Sequence, residues 1–268
     1  MHSEYIEEYR DRLWRRAETL RVQNAEDVER MVNEIGFCLA LTDSRTNLPS
    51  VYLAVCGRRD AVAPKNVQKD EECSLAWVLK DEVMRRGNVY YSKLSKGRAM
   101  FVRRDLIPAF RAVYGLSKSA EKNELSKAER AIMKVLRAEW ESSSSDLRSD
   151  AKIEDRKSFT KSLENLQRMM KVIPYEVLYQ PKFTYLWTLP EARFPDEYSG
   201  KMSRDNGLYK IAEAYLQAYG MTLRGEFSRS IGFQRKEAGA AFHRLVDDGK
   251  AVRVSEGVYC LPKLAALI

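Results

Sequence analysis

The sequence predicts a mainly α chain with small β-hairpin wings, an α+β class, divided into three successive units. Three observations carry that prediction. Apolar residues at helical spacing recur in each part of the 268-residue chain. Two polar, turn-rich stretches, GLSKSAEKNELSK at 115–127 and PEARFPDEYSGKMSRDN at 190–206, interrupt them. The segments they leave, 1–115, 116–197 and 198–268, each end in two short strand-like runs around a turn. A chain of this length suits two or three compact domains.

The first segment opens with a charged helix expected over residues 3–20. A helix follows Asn24, then NLPSVYLAVCG, then the helix EECSLAWVLKDEVMRRG. In that last helix Leu75, Val78, Leu79 and Val83 make a core face, while Trp77 and Met84 lie on the other side beside Lys80. A helix apolar on both sides lies between two layers; a sharper reading lets Trp77 stack on an unpaired base or wedge between base steps. Residues 88–104 then form a hairpin with Lys96 and Gly97 at its tip. In the middle segment Ser126 and Glu129 have the spacing of a capping box at the start of SKAERAIMKVLRAEW. SSSDLRSDAK and DRKSFTKSLENLQRMM supply two more helices, and KVIPYEVLY and FTYLWTLP two strands around Gln180-Pro181-Lys182. The last segment repeats the order: a helix from Asn206 to Gly220, a short one closed by Gly232, QRKEAGAAFHRLVDDGK, and a ribbon turning at Ser255-Glu256-Gly257. Three helices followed by a hairpin is the order of a winged helix, so the fold expected is three tandem winged-helix units.

The charge distribution points to a partner. A net charge of +8 and a pI of about 9.2 favour polyanions, nucleic acid first and acidic membrane second. Lys93, Lys96, Arg98, Arg103 and Arg104 fall on the first hairpin, flanked by Arg85, Arg86 and Arg111. Asp105 is the only acid between residues 83 and 120, so these cations are expected to lack local partners. On the middle segment's third helix, Phe159, Leu163, Leu166 and Met170 share one side and Lys157, Lys161, Glu164 and Arg168 the other. On the last segment's third helix Ala238, Ala241, Phe242 and Leu245 face inward, and Lys236, Gly239, Ala240 and His243 outward, with Arg235 at its start. A winged helix lays its third helix in the major groove and its hairpin along the backbone or minor groove. Double-stranded DNA is therefore the expected partner. The plainer reading is a solvated helix face with Glu164 in ordinary i,i+3 and i,i+4 pairs.

Other classes find little support. Cys38, Cys56, Cys73 and Cys260 are scattered, and His2 and His243 are the only histidines, so no metal-ligand cluster is visible and neither metal nor cofactor is expected. The charged start is unlike a secretory signal, and the uncharged run at 35–42 is far too short to span a bilayer, so a cytoplasmic location is expected. No P-loop, G-x-S-x-G or H-E-x-x-H occurs. The one catalytic candidate is Asp81, with Glu82 in the run Trp77-x-x-Lys80-Asp81-Glu82, because base excision calls for a carboxylate; the motif is weak, and an ordinary charged helix surface is the favoured reading.

VNEIGFCLAL at 32–41, LPSVYLAVCGR at 48–58 and VYYSKLSKGRAMFVRRDLIPAF at 89–110 resemble bacterial tandem winged-helix proteins of the AlkZ/YcaQ-like group. The resemblance implies three winged-helix units around a concave DNA-binding surface. Some members of the group are DNA glycosylases that remove alkylated or crosslinked bases and carry a Gln-x-Gln motif. Here Gln23, Gln68, Gln167, Gln180, Gln217 and Gln234 are isolated, and no catalytic residue is carried over. The expectation is a non-enzymatic DNA-binding protein of transcription or genome maintenance; the alternatives are a DNA-repair glycosylase and a winged-helix module that binds proteins.

Overall fold

The computed structural model describes residues 4–42, 47–64 and 69–267. The opening helix α1 (Glu4–Leu13) is shorter than the expected 3–20. Trp14 turns into the core, and Arg15 takes a left-handed backbone with φ 59°, which a helix of L-residues does not continue through.

The first unit comprises α2 (Ala25–Ile35), β1 (Phe37–Leu39), α3 (Val51–Cys56), α4 (Glu71–Arg86), β2 (Tyr90–Lys93) and β3 (Ala99–Val102). Asn24, Ser50 and Asp70 start its three helices, each side chain accepting an orphan backbone N–H. Helices α5 (Ile107–Tyr114) and α6 (Glu121–Glu124) lead to the second unit: α7 (Lys127–Glu139), β4 (Glu141–Ser143), α8 (Ser144–Asp150), α9 (Arg156–Arg168), β5 (Ile173–Leu178) and β6 (Thr184–Thr188). The capping box read from Ser126 and Glu129 is present at α7. Helices α10 (Pro190–Arg193) and α11 (Pro195–Ser199) precede the third unit: α12 (Arg204–Tyr219), β7 (Met221–Thr222), α13 (Glu226–Ile231), α14 (Arg235–Asp247), β8 (Val252–Ser255) and β9 (Val258–Cys260), followed by α15 (Pro262–Ala265). The cap of α12 is Ser203, three residues before the expected Asn206, whose N–H it accepts.

Each unit closes a three-stranded antiparallel sheet with the same connectivity, β1-β3-β2, β4-β6-β5 and β7-β9-β8. The hairpin strands were legible; the third strand, between the first and second helices, was not. It is only two or three residues long, too short to show a period of two.

Packing divides differently from connectivity. One core runs from Ile6 to Leu264, joins the first and third units and takes in Met170, Ile173 and Val177 of the second, whose other buried residues form a separate core from Leu125 to Leu189. Arg10 and Trp14 fasten the start of the chain to α12 and β7. Arg10 Nε and Nη2 donate to the carbonyls of Tyr219 and Met221, both at 2.9 Å, and Trp14 Nε1 donates to that of Ala218 at 2.8 Å. Helix α5 lies so close to α12 that a Cβ on Gly207 would sit 2.8 Å from the Ala109 carbonyl oxygen. The stretch read as a second linker is packed: Phe194 is 1% exposed and its ring lies 5.5 Å from that of Tyr90.

Helix α4 is covered on two sides, by α2 and α3 within its unit and by β5 of the next. That shifts its register of burial. Val78, expected in the core, is 55% exposed, while Met84 is buried. The four cysteines are buried and unpaired. Among the described residues no helix is long and apolar enough to cross a membrane.

Candidate nucleic-acid interface

The first hairpin is not the unpaired cationic cluster that its local sequence suggests. Its partners arrive from distant parts of the chain. Lys93 is ion-paired with Glu164 on α9. Arg103 binds Asp105 at 2.5 Å and the Asn33 carbonyl at 2.9 Å. Arg104 binds Glu197 at 2.6 Å, Arg85 binds Glu176 at 2.5 Å, and Arg86 binds Glu26 and Glu29. Arg111 donates to the carbonyls of Tyr198 and Gly200. Arg103 and Arg104 also lie at the base of the hairpin, about 20 Å along the strand from its tip at about 3.3 Å per residue. They stand apart from the tip with their charges balanced.

The tip has another environment. Lys96 and Gly97 both take left-handed backbone angles, φ 53° and 75°, which fold the turn tightly and push it outward. It wedges between α9 of the second unit and α13 of the third. Ser95 Oγ donates to the Ile231 carbonyl at 2.5 Å, Lys96 Nζ to that of Arg229 at 2.9 Å, and Arg98 Nη1 to that of Ser230 at 3.0 Å. The last carbonyls of a helix have no intrahelical partner and carry partial negative charge, so these side chains satisfy the end of α13.

This wedge gathers cations from all three units. Arg168, at the end of α9, has its Cδ 4.0 Å from where a Cβ on Gly97 would stand. Lys161 and Lys157 continue up the exposed face of α9 one and two turns beyond Glu164, opposite Phe159, Leu163 and Leu166 in the core. On the other side Lys96 packs along Gly232, and both Arg229 and Arg235 reach Gly225, with Arg229 Nη1 at 3.1 Å and Arg235 Nε at 3.7 Å from its Cβ position. Lys157, Lys161, Arg168, Lys96, Arg229 and Arg235 are all exposed. Among the described residues none of these six is in an ion pair with a carboxylate. Glu164 interrupts the tract, and Lys93 neutralises it. Lys236 is exposed one residue beyond Arg235, and His243 stands two turns further along α14, its ring 6.2 Å from that of Tyr259. Arg229 was missed in the sequence because α13 is short; the glycines at 225 and 232 that bracket it were the available signal.

Beside the tract a cleft of about 740 Å³ opens between the first unit and the second hairpin. Lys93, Gly97 and Arg98 form its rim on the tract side. Trp77, Lys80 and Tyr91 come from α4 and β2, Phe183 and Tyr185 from the second hairpin, and Ala40 to Thr42 from the end of β1. Lys80 and Asp81, read as a charged helix surface, are each 2% exposed. Their side chains are ion-paired; Lys80 Nζ also donates to the Tyr185 hydroxyl at 2.9 Å and lies 4.4 Å from the centre of the Trp77 ring. The other oxygen of Asp81 accepts from the Tyr179 hydroxyl. Burial pulls the Lys80 amine below its ordinary pKa, and the bond and charge of Asp81 oppose that fall. The network docks the second hairpin on α4 and leaves neither Asp81 oxygen unengaged. Among the described residues no group of three His, Cys, Asp or Glu side chains is placed to hold a metal.

Comparison with known proteins gives a consistent result. In the solved structures, the Streptomyces sahachiroi DNA glycosylase AlkZ is similar over 100% of this chain and 72% of its own, with a TM-score of 0.57 and 14% identity. At that identity the likeness is one of fold. No curated protein matches the chain. A model of the AlkZ-related family matches residues 22–184, from the start of the first unit to the turn of the second hairpin. That match covers well over half of the sequence, so the chain belongs to the AlkZ-related family.

Proposed function

We propose that this protein binds double-stranded DNA in genome maintenance, using three winged-helix units whose cations form one tract. The observation that carries the reading is the wedge of the first hairpin between α9 and α13. It brings Arg168, Lys96, Arg229 and Arg235 close together, with Lys161 and Lys157 further along α9 past the Lys93–Glu164 pair, and none of the six has a carboxylate partner among the described residues. Gathering like charges costs self-repulsion, which a row of phosphates relieves with release of counterions. The same arrangement suits the third helices of the second and third units to groove contacts, and the family's name-bearing relative is a DNA glycosylase. The test is duplex binding as a function of salt. If the six cations meet phosphates, log K should fall with log salt at a slope of about −5. Affinity unchanged between low and moderate salt would sink the reading.

A second reading, a DNA glycosylase, is favoured by the fold likeness to AlkZ and by the carboxylate of Asp81 beside the cleft. Asp81 is held by Lys80 and Tyr179, an arrangement suited to docking the hairpin rather than to positioning a water. Incubation with alkylated DNA separates the two. Abasic sites produced by the protein and lost in an Asp81→Asn variant that still binds duplex support catalysis, and an inert protein supports binding alone.

A further inference from the structure

The cleft beside the tract is not accounted for by duplex binding, and its chemistry is distinctive. Its volume of about 740 Å³ falls within the roughly 300–1,000 Å³ typical of small-ligand sites. Its walls carry the rings of Trp77, Tyr91, Phe183 and Tyr185. Phe183 is 46% exposed, where a soluble hairpin ordinarily keeps a polar residue, and Trp77 is only partly covered. Aromatic surface left in water next to a cationic path is the combination that single-stranded nucleic-acid sites use: phosphates follow the charge and bases settle on the rings.

The cleft and the tract also share residues. Lys93 lines the cleft and pairs with Glu164 on α9; Gly97 lines it and touches Arg168. A strand held by Arg168 and Lys96 therefore passes the mouth of the cleft. A base within a duplex is stacked and cannot enter, but one that has lost its partner can leave the stack at the cost of a few kcal/mol.

We propose that the cleft receives one unpaired nucleobase against its aromatic rings while the cationic tract holds the flanking duplex, so that the protein prefers DNA with an extrahelical base. This rests on the DNA-binding reading above and names its substrate class. The Tyr185 hydroxyl, which accepts from Lys80, and the Thr42 hydroxyl, which pairs with Ser50, are the polar groups at the cleft for the edge of the base. Lys80 is held over Trp77 by Asp81, so the floor is fixed before the base arrives.

The experiment compares an intact duplex with the same duplex carrying a single bulged 2-aminopurine. The bulged duplex should bind about 5- to 100-fold more tightly, the range that one base–ring stack supplies. The 2-aminopurine fluorescence should be quenched on binding. Trp77→Ala and, separately, Phe183→Ala on the exposed hairpin should each reduce the preference and the quenching while leaving intact-duplex affinity unchanged. Equal affinity for the two duplexes, or a preference that survives both substitutions, overturns the inference and leaves the duplex reading standing. Failure of either duplex to bind at low salt overturns the DNA reading and the inference with it.

Discussion

Lys93 on the first hairpin is ion-paired with Glu164 on the third helix of the following unit, 71 residues later in the chain. The pair sits within the cationic tract and removes one positive charge from it. Glu164→Gln should therefore tighten duplex binding severalfold at low salt and steepen the salt dependence by about one unit of slope. Because both side chains are more than a third exposed, thermal stability should change little, within about 1 kcal/mol. Unchanged affinity would place Glu164 outside the DNA path.

The distinction between free and balanced cations predicts a split among the arginines. Lys161→Glu and Arg168→Glu should each weaken duplex binding about tenfold at low salt. Arg104→Ala, which removes a side chain already committed to Glu197, should leave binding within about twofold. Titrations of the three variants against one labelled duplex measure the split.

The buried pair of Lys80 and Asp81 should be asymmetric in its response. Replacing one partner, as in Asp81→Asn, leaves a buried charge uncompensated and should cost about 3–5 kcal/mol of unfolding free energy. Replacing both, as in Lys80→Met with Asp81→Leu, should recover most of that loss. Urea denaturation of the single and double variants measures both.

Glu121 predicts a pH effect. Burial pushes its carboxyl pKa up, but Lys171 at 2.5 Å and Arg137 at 2.8 Å more than offset this and hold it below the usual carboxylate range. The folded value is the lower one, so the stabilisation is complete above about pH 4.5 and is lost as pH falls through the folded value. Glu121→Gln should cost about 1.5–3 kcal/mol at pH 7. The gap in Tm between the two proteins should close as pH falls below about 4.5.

Gly207 is the point where α12 meets α5. Gly207→Ala would bring a methyl group within 2.8 Å of the Ala109 carbonyl oxygen and 3.0 Å of the Ala112 Cβ. The gain in helix propensity is outweighed by overpacking, and a net loss of about 1–3 kcal/mol should follow in chemical denaturation.

What the sequence could reveal was set by the range over which each signal acts. The capping box at Ser126 and Glu129, the hairpin tip at Lys96 and Gly97, and the apolar stripe of α9 are written within a few residues, and all three are present. β4 is three residues inside a serine-rich run and carries no pattern of its own. Charge was the hardest to read. Asp105 is the only acid near the first hairpin in sequence, yet Glu164, Glu176 and Glu197 meet it in space, together with Glu26 and Glu29. Local counting cannot foresee neutralisation by residues some 60 to 90 positions away. For the same reason Asp81 looked like a surface charge: Tyr179, which helps to bury it, lies 98 residues further on.

The long core that joins Arg10 and Trp14 to Tyr219 bears on how the polypeptide is born. Residues 125–189 carry a core of their own that can collapse as they leave the ribosome, with Met170, Ile173 and Val177 packing against the earlier-made first unit. The opening helix cannot do so, because the carbonyls of Ala218, Tyr219 and Met221 that it must find have not yet been made. The middle of the nascent chain therefore settles before the opening helix does. A stalled intermediate should expose the opening helix to protease while the central segment is already resistant.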